Sequence, residues 1–77
     1  MVKLPLKLIY PEEIVTEPIV SKLAKEIDVL INIRQAGVTD SEGWLVCELD
    51  GSSENVDMAL KWLENHGVEI AILGSEV

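Results

Sequence analysis

Few side chains in this 77-residue sequence are equipped for chemistry, and the densest group falls in VLINIRQAGV, residues 29–38. Asn32, Arg34 and Gln35 occupy positions where a buried strand would carry valine or leucine. A guanidinium presents a planar fork of donors matched to a carboxylate, and an amide beside it supplies both a donor and an acceptor. Asn32 and Arg34 are alternate residues of one strand and share a face, so with Lys7 on the same side of a sheet they are candidates to hold an amino-acid-like anion. The plainer use of these charges is pairing of Arg34 and Lys7 with Glu48 and Glu69 across the sheet.

Catalytic chemistry finds little to work with. A nucleophile needs a neighbouring base, yet Cys47 is the sole cysteine and alternation puts it on the core side of its strand, where it acts as a small hydrophobe. His66, the sole histidine, stands at a helix end, where a cap contact suits it better than general-base work. One cysteine excludes a disulfide framework, and one histidine nearly excludes a zinc site. Glu12 and Glu13 lack calcium-loop spacing and read as solvated loop residues. The expectation is a protein without cofactor, metal or enzymatic activity.

Composition narrows the partners. The chain is 48% hydrophobic and 26% charged, as suits one packed domain over residues 1–77. So short a chain buries only about 60% of the surface it exposes when unfolded, so a second copy is the staple left to it. Fourteen acidic residues against six basic give a net charge of −8, which repels phosphate backbones and anionic membranes. No apolar run approaches the roughly 20 residues of a membrane span, and the first ten residues are too short and alternating for a secretory signal. Direct membrane insertion is therefore not expected, and the chain is expected to be cytoplasmic and whole.

The elements that position these residues follow from periodicity. Residues 3–10 alternate as a first strand ended by Pro11, and Pro5 is tolerable near its start. Thr16 or Glu17 before Pro18 opens a helix whose stripe is Ile19, Val20, Leu23, Ala24 and Ile27, running to about Asp28. The second strand is residues 29–38, with Gly37 marking a bulge or bend. Thr39 to Gly43 is a hairpin loop, Trp44 to Leu49 a third strand, and Asp50-Gly51 a turn. Ser52 or Ser53 caps a second helix with the stripe Val56, Ala59, Leu60 and Leu63, stopped by Gly67, and residues 68–73 make a fourth strand.

This order is the split βαβ, or ferredoxin-like, α+β arrangement: a four-stranded antiparallel sheet, first and third strands central, both helices on one face. Alternation sends Leu4, Leu6, Leu8, Ile31, Ile33, Leu45, Cys47, Leu49, Ile70 and Ile72 toward the helices. The open face receives Lys7, Ile9, Asn32, Arg34, Trp44, Val46, Glu48, Glu69, Ala71 and Leu73, more apolar area than a merely wetted sheet carries. The second strand is an edge that a second copy can extend, so Ile31, Ile33 and Gln35 together with Trp44 and Val46 are the expected interface of a homodimer. RNA-recognition modules share this element order, but they stack bases on several open-face aromatics. Only Trp44 is aromatic here, and the charge has the wrong sign.

The segments LKLIY, EPIVSKLAKEIDVLINIRQAGV, GWLVCELDG and LENHGVEIAIL together resemble the NIL domain, a small ACT-like module named for an Asn-Ile-Leu signature in its second strand. Asn32 and Ile33 match that signature, and Arg34 stands where leucine is usual. The resemblance implies a regulatory appendage like that on the ATP-binding subunit of bacterial methionine-import ABC transporters, which dimerises and binds methionine to inhibit transport. NIL domains also occur fused to iron-sulfur domains. This sequence has neither a Gly-x-x-x-x-Gly-Lys-Ser/Thr phosphate loop nor a cysteine cluster, so a stand-alone sensor of methionine or a related amino acid is expected. The competing reading is a protein-interaction module without metabolite, for which Met58 and Trp62, four apart on the second helix, offer an apolar patch. Trp62 folding over the helix edge is the alternative there.

Overall fold

The computed structural model describes residues 1–11, 18–39 and 41–73. The expected cap at Thr16 or Glu17 and the loop residues Glu12 and Glu13 lie outside them. Strand β1 (Val2–Pro11), helix α1 (Ile19–Glu26), strands β2 (Leu30–Val38) and β3 (Glu42–Gly51), helix α2 (Ser53–Asn65) and strand β4 (Glu69–Ile72) follow one another. The antiparallel sheet has the order β2-β3-β1-β4. This is the ferredoxin-like α+β fold.

The core sits between the sheet and both helices. Leu6, Leu8, Leu45, Cys47 and Leu49 of the two central strands meet Ile19 and Leu23 of α1 and Val56, Ala59 and Leu63 of α2, all buried. Helix α1 has no side-chain cap and ends at Glu26, before the expected Asp28, because Ile27 is already extended while its N–H still bonds the Leu23 carbonyl. Helix α2 is better bounded. Ser52 is its N-cap, its Oγ accepting from the Asn55 N–H at 3.1 Å. At the other end Gly67 takes φ 86°, its N–H bonds the Glu64 carbonyl, and the Val68 N–H bonds that of Leu63. That double bond pattern closes a helix through a left-handed glycine, with buried Val68 packing back.

Three expectations are corrected. Asp50 and Gly51 do not turn the chain but continue β3, paired with Lys3 and Val2. The bulge in β2 is not at Gly37: the register slips between Ile33 and Gln35, leaving Arg34 as the extra residue. Ile33 and Ile72, assigned to the helix-covered side, are 56% and 58% exposed. They end the cross-sheet row Ile33, Cys47, Leu6, Ile72, of which the helices cover only the central pair.

Proline in a central strand is accommodated by the short β4. The N–H and C=O of one antiparallel residue point toward the same neighbour. The Pro5 carbonyl accepts from the Leu73 N–H at 3.0 Å, so the donor that proline lacks would have faced β4 just beyond its end at Ile72. The β2–β3 hairpin is organised by Thr39, whose N–H and hydroxyl both donate to the Glu42 carbonyl while its Oγ accepts from the Glu42 N–H.

Candidate functional site: the open face of the sheet

The open face is read in rows from the register. Asn32, Glu48 and Pro5 form one row, Gln35, Val46, Lys7 and Ala71 the next, and Gly37, Trp44, Ile9 and Glu69 a third. The slip at Arg34 decides what β2 contributes. In unbroken alternation Gln35 would point toward the helices, but one extra residue turns it onto the open face opposite Val46. Arg34 reaches the same face, its Nη2 lying 3.7 Å from Glu48 Oε2, with Arg34 66% and Glu48 19% exposed. Asn32, Arg34 and Gln35 thus line the β2 side of Glu48 and Val46.

Lys7 does not meet a carboxylate. Its Nζ lies 5.3 Å from the centroid of the Trp44 ring, a cation-π contact across adjacent strands. Of the expected cross-sheet pairs, Arg34 with Glu48 forms and Lys7 with Glu69 does not. Trp44 in turn lies over Gly37, where a Cβ would come within 2.5 Å of the indole. Glycine at 37 is therefore the seat of a ring. Trp44 and Val46 are half-buried, and Asn32, Gln35 and Arg34 are exposed.

The other expected interface residues divide by face. Ile31 is half-buried against the core beside Leu49, with its side chain on the helix side. Ile33 is exposed at the edge. On α2, Met58 is exposed, whereas Trp62 is packed against the core, donates its Nε1–H to Glu26 Oε1 at 3.1 Å and stacks on His66 at 3.7 Å. The expected Met58-Trp62 patch is thus split: Trp62 folds over the helix edge and Met58 stands alone. His66 Nδ1 sits 2.8 Å from the Trp62 carbonyl, the cap contact expected of it. Cys47 is buried, and desolvation pushes its thiol up to about 11. Burial, with the nearby Cys47, also pushes the Tyr10 phenol up to about 12.

A feature with no sequence signal is an open hollow of about 350 Å³ bounded by Asp28 to Leu30, Asp50 to Ser52, Asn55 and Met1. It forms where three distant segments meet, and Asn55 Nδ2 donating to the Asp28 carbonyl at 3.1 Å ties two of them together. Among the described residues no three His, Cys, Asp or Glu side chains come together as a metal site, and no helix is long and apolar enough to cross a membrane.

Comparison with known proteins agrees with this fold. The NIL domain profile matches residues 5–71. The methionine import ATP-binding protein MetN 2 of Listeria innocua is 31% identical over 71 residues, covering 87% of this chain and 21% of that protein. MetN of Chromohalobacter salexigens, of the same description, is 32% identical over 72 residues, again with 21% of its length covered. The chain therefore spans about a fifth of the curated relatives it matches. Among solved structures, the C-terminal domain of an ABC transporter ATP-binding protein from Enterococcus faecalis superposes with a TM-score of 0.79 at 26% identity, covering 95% of this chain and 86% of that one. The de novo designed protein Ferredog-Diesel reaches 0.60 at 18% identity, a likeness of fold alone, over 95% of this chain and 85% of that one.

Proposed function

The chain belongs to the NIL domain family, and on that premise we propose that it is a non-enzymatic regulatory module that binds methionine or a related amino acid on the β2 side of its open face. On this reading it works in the cytoplasm as a homodimer and passes its occupancy to a transporter ATP-binding subunit or a comparable protein. The relatives are named for methionine import, which makes methionine the first ligand to try.

The observation that carries the reading is the slip at Arg34, which gathers a guanidinium and two carboxamides around Glu48 on one face. A free amino acid presents a carboxylate and an ammonium a few ångströms apart. Arg34 suits the first as a bidentate donor, Glu48 the second, and Asn32 can serve either. At 3.7 Å and 66% exposure of the arginine, the Arg34–Glu48 pair is loose and solvated, so a ligand displaces little when it inserts. Lys7 adds positive charge beyond Val46, and the half-buried Val46 and Trp44 offer apolar surface to a thioether side chain.

Calorimetric titration of the purified chain with methionine and a panel of other amino acids tests the proposal. Binding is expected, and Asn32→Ala or Arg34→Ala should weaken it by about 10- to 100-fold, the worth of one charge-assisted hydrogen bond, with the thermal midpoint unchanged. Undiminished binding in both variants would move the site elsewhere. Absence of heat with every amino acid would favour the second reading, a module that only contacts proteins, for which Leu30, Ile33 and Val38 stand exposed along β2.

A further inference from the structure

Cations are scarce on this chain, six against fourteen acidic residues, yet two of them flank one half-buried valine. Arg34 on β2 and Lys7 on β1 stand on either side of Val46 on the open face. Their surroundings differ. The guanidinium has Glu48 at 3.7 Å, whereas the Lys7 ammonium has no carboxylate partner among the described residues and lies 5.3 Å from the centroid of the Trp44 ring. A ring face holds an ammonium in place without cancelling its formal charge. Lys7 is half-buried, so water and salt screen that charge only in part. The carboxylate that shares the Trp44 row, Glu69, belongs to β4, two strands and so about 10 Å from Trp44, while Lys7 reaches the other way, toward β3. From Arg34 to Lys7 the face therefore carries two positive charges and one negative.

We infer that this site prefers a dicarboxylic amino acid of glutamate length over methionine and other neutral amino acids, an inference that rests on reading the open face as an amino-acid site. A neutral amino acid meets Arg34 with its α-carboxylate and Glu48 with its ammonium, and it leaves Lys7 without a counter-charge. A second carboxylate supplies one. Glu48 sets the direction, because the ligand ammonium must lie beside it and the side chain then runs over Val46 toward Lys7. Length selects among acidic ligands. Glu48 and Trp44, beside which the two cations stand, are four residues apart on β3, about 13 Å along the strand. Two charge-assisted contacts of about 2.8 Å each take up part of that span and leave roughly 7 Å between the outer carboxylate oxygens. An extended five-carbon dicarboxylate covers that distance, and a four-carbon one is about 1.3 Å shorter. Methionine has the length, but its terminal methyl group would cover the Lys7 ammonium and remove water from it with no acceptor in return.

Calorimetric titration of the purified chain with glutamate, aspartate, glutamine and methionine tests it. Glutamate should bind about 10- to 100-fold more tightly than glutamine or methionine, as expected for one added hydrogen bond between charged groups, and more tightly than aspartate. Lys7→Met, which keeps the apolar stem on the sheet, should weaken glutamate by about the same 10- to 100-fold and leave glutamine within about threefold. Arg34→Ala should weaken all four ligands alike, because each has the α-carboxylate. Lys7→Gln repeats the test should Lys7→Met fold poorly, with the thermal midpoint of each variant as the check on folding. Glutamine, methionine or aspartate binding as tightly as glutamate, or Lys7 variants that weaken glutamate and glutamine equally, would overturn the inference and leave the amino-acid reading standing. Absence of heat with every amino acid would overturn both.

Discussion

Gly37→Ala should destabilise this protein, and it should do so only because of Trp44. A Cβ built on Gly37 lies 2.5 Å from Trp44 Cε2 and Nε1 and 2.6 Å from Cζ2, an ångström inside ordinary contact. The indole is a rigid plane with Ile9 on the neighbouring strand, so it cannot yield by bending a flexible tip. Either the ring swings off the sheet or β2 retreats from β3. Overpacking of this kind costs about 1–3 kcal/mol. Gly37 does not have positive φ, so alanine suffers no backbone strain there and returns about 0.4–1 kcal/mol by restricting the unfolded chain. The net loss is about 1–2 kcal/mol, and at 4–8 °C per kcal/mol for a domain of this size the thermal midpoint should fall by roughly 5–15 °C. In a Trp44→Ala background the clash disappears and only the gain remains, so the same Gly37→Ala change should raise the midpoint. Calorimetric melts of the four chains of this cycle decide it. Equal destabilisation in both backgrounds would show that Gly37 matters for some reason other than the ring seated on it.

Two further outcomes follow from burial. Cys47 and Tyr10 hold their protons more tightly folded than unfolded, with thiol and phenol raised from 9.0 and 10.0 to about 11 and about 12. The unfolded chain therefore ionises first, and stability should be whole below about pH 9 and decline as pH rises toward 11–12, seen as a falling urea midpoint; a flat midpoint across that window refutes it. Met58→Ser should change stability by less than about 0.5 kcal/mol, whereas Trp62→Ser should cost about 1–3 kcal/mol by uncovering core and removing the bond to Glu26; equal effects in denaturant titrations would erase the distinction between the two sides of α2.

The fold was legible because its signals are local. Period-two alternation in β1 and β3, Ser52 before the second helical stripe and Gly67 after it each name an element without help from the rest of the chain. What escaped depends on which strand lies beside which. Ile31-Asn32-Ile33-Arg34 alternates without a break, so nothing within β2 announces that the register slips after Ile33; the partner strand imposes it. Gly37 invited the bulge assignment as the one glycine in the strand. Its true relation, to a tryptophan across a hairpin, is a known way of covering a glycine on an edge strand, and it becomes legible once Thr39 to Glu42 is accepted as the turn. The exposed Ile33 and Ile72 reflect width: two helices cannot cover four strands, and alternation tells the side of a residue but not its distance from the helices.

The bulge bears on how another strand can pair with β2. An edge strand invites pairing with any other strand, and a bulge on it limits the run of backbone groups that can be matched in one register. With Arg34 inserted, β2 offers only the short runs Leu30 to Ile33 and Gln35 to Val38 on either side of the slip. An edge pairing must then accommodate the extra residue or stop at it. The same insertion delivers Arg34 and Gln35 together to the open face, where Arg34 Nη2 lies 3.7 Å from Glu48 Oε2. One extra residue thus weakens indiscriminate strand addition and places two polar side chains side by side on the open face. Deleting Arg34 should leave Gln35 opposite Val46 on the open face, now in an unbroken ladder, and the straightened edge should add strands more readily, seen as increased light scattering of the purified chain. Unchanged scattering in the variant would show that the bulge does not guard this edge.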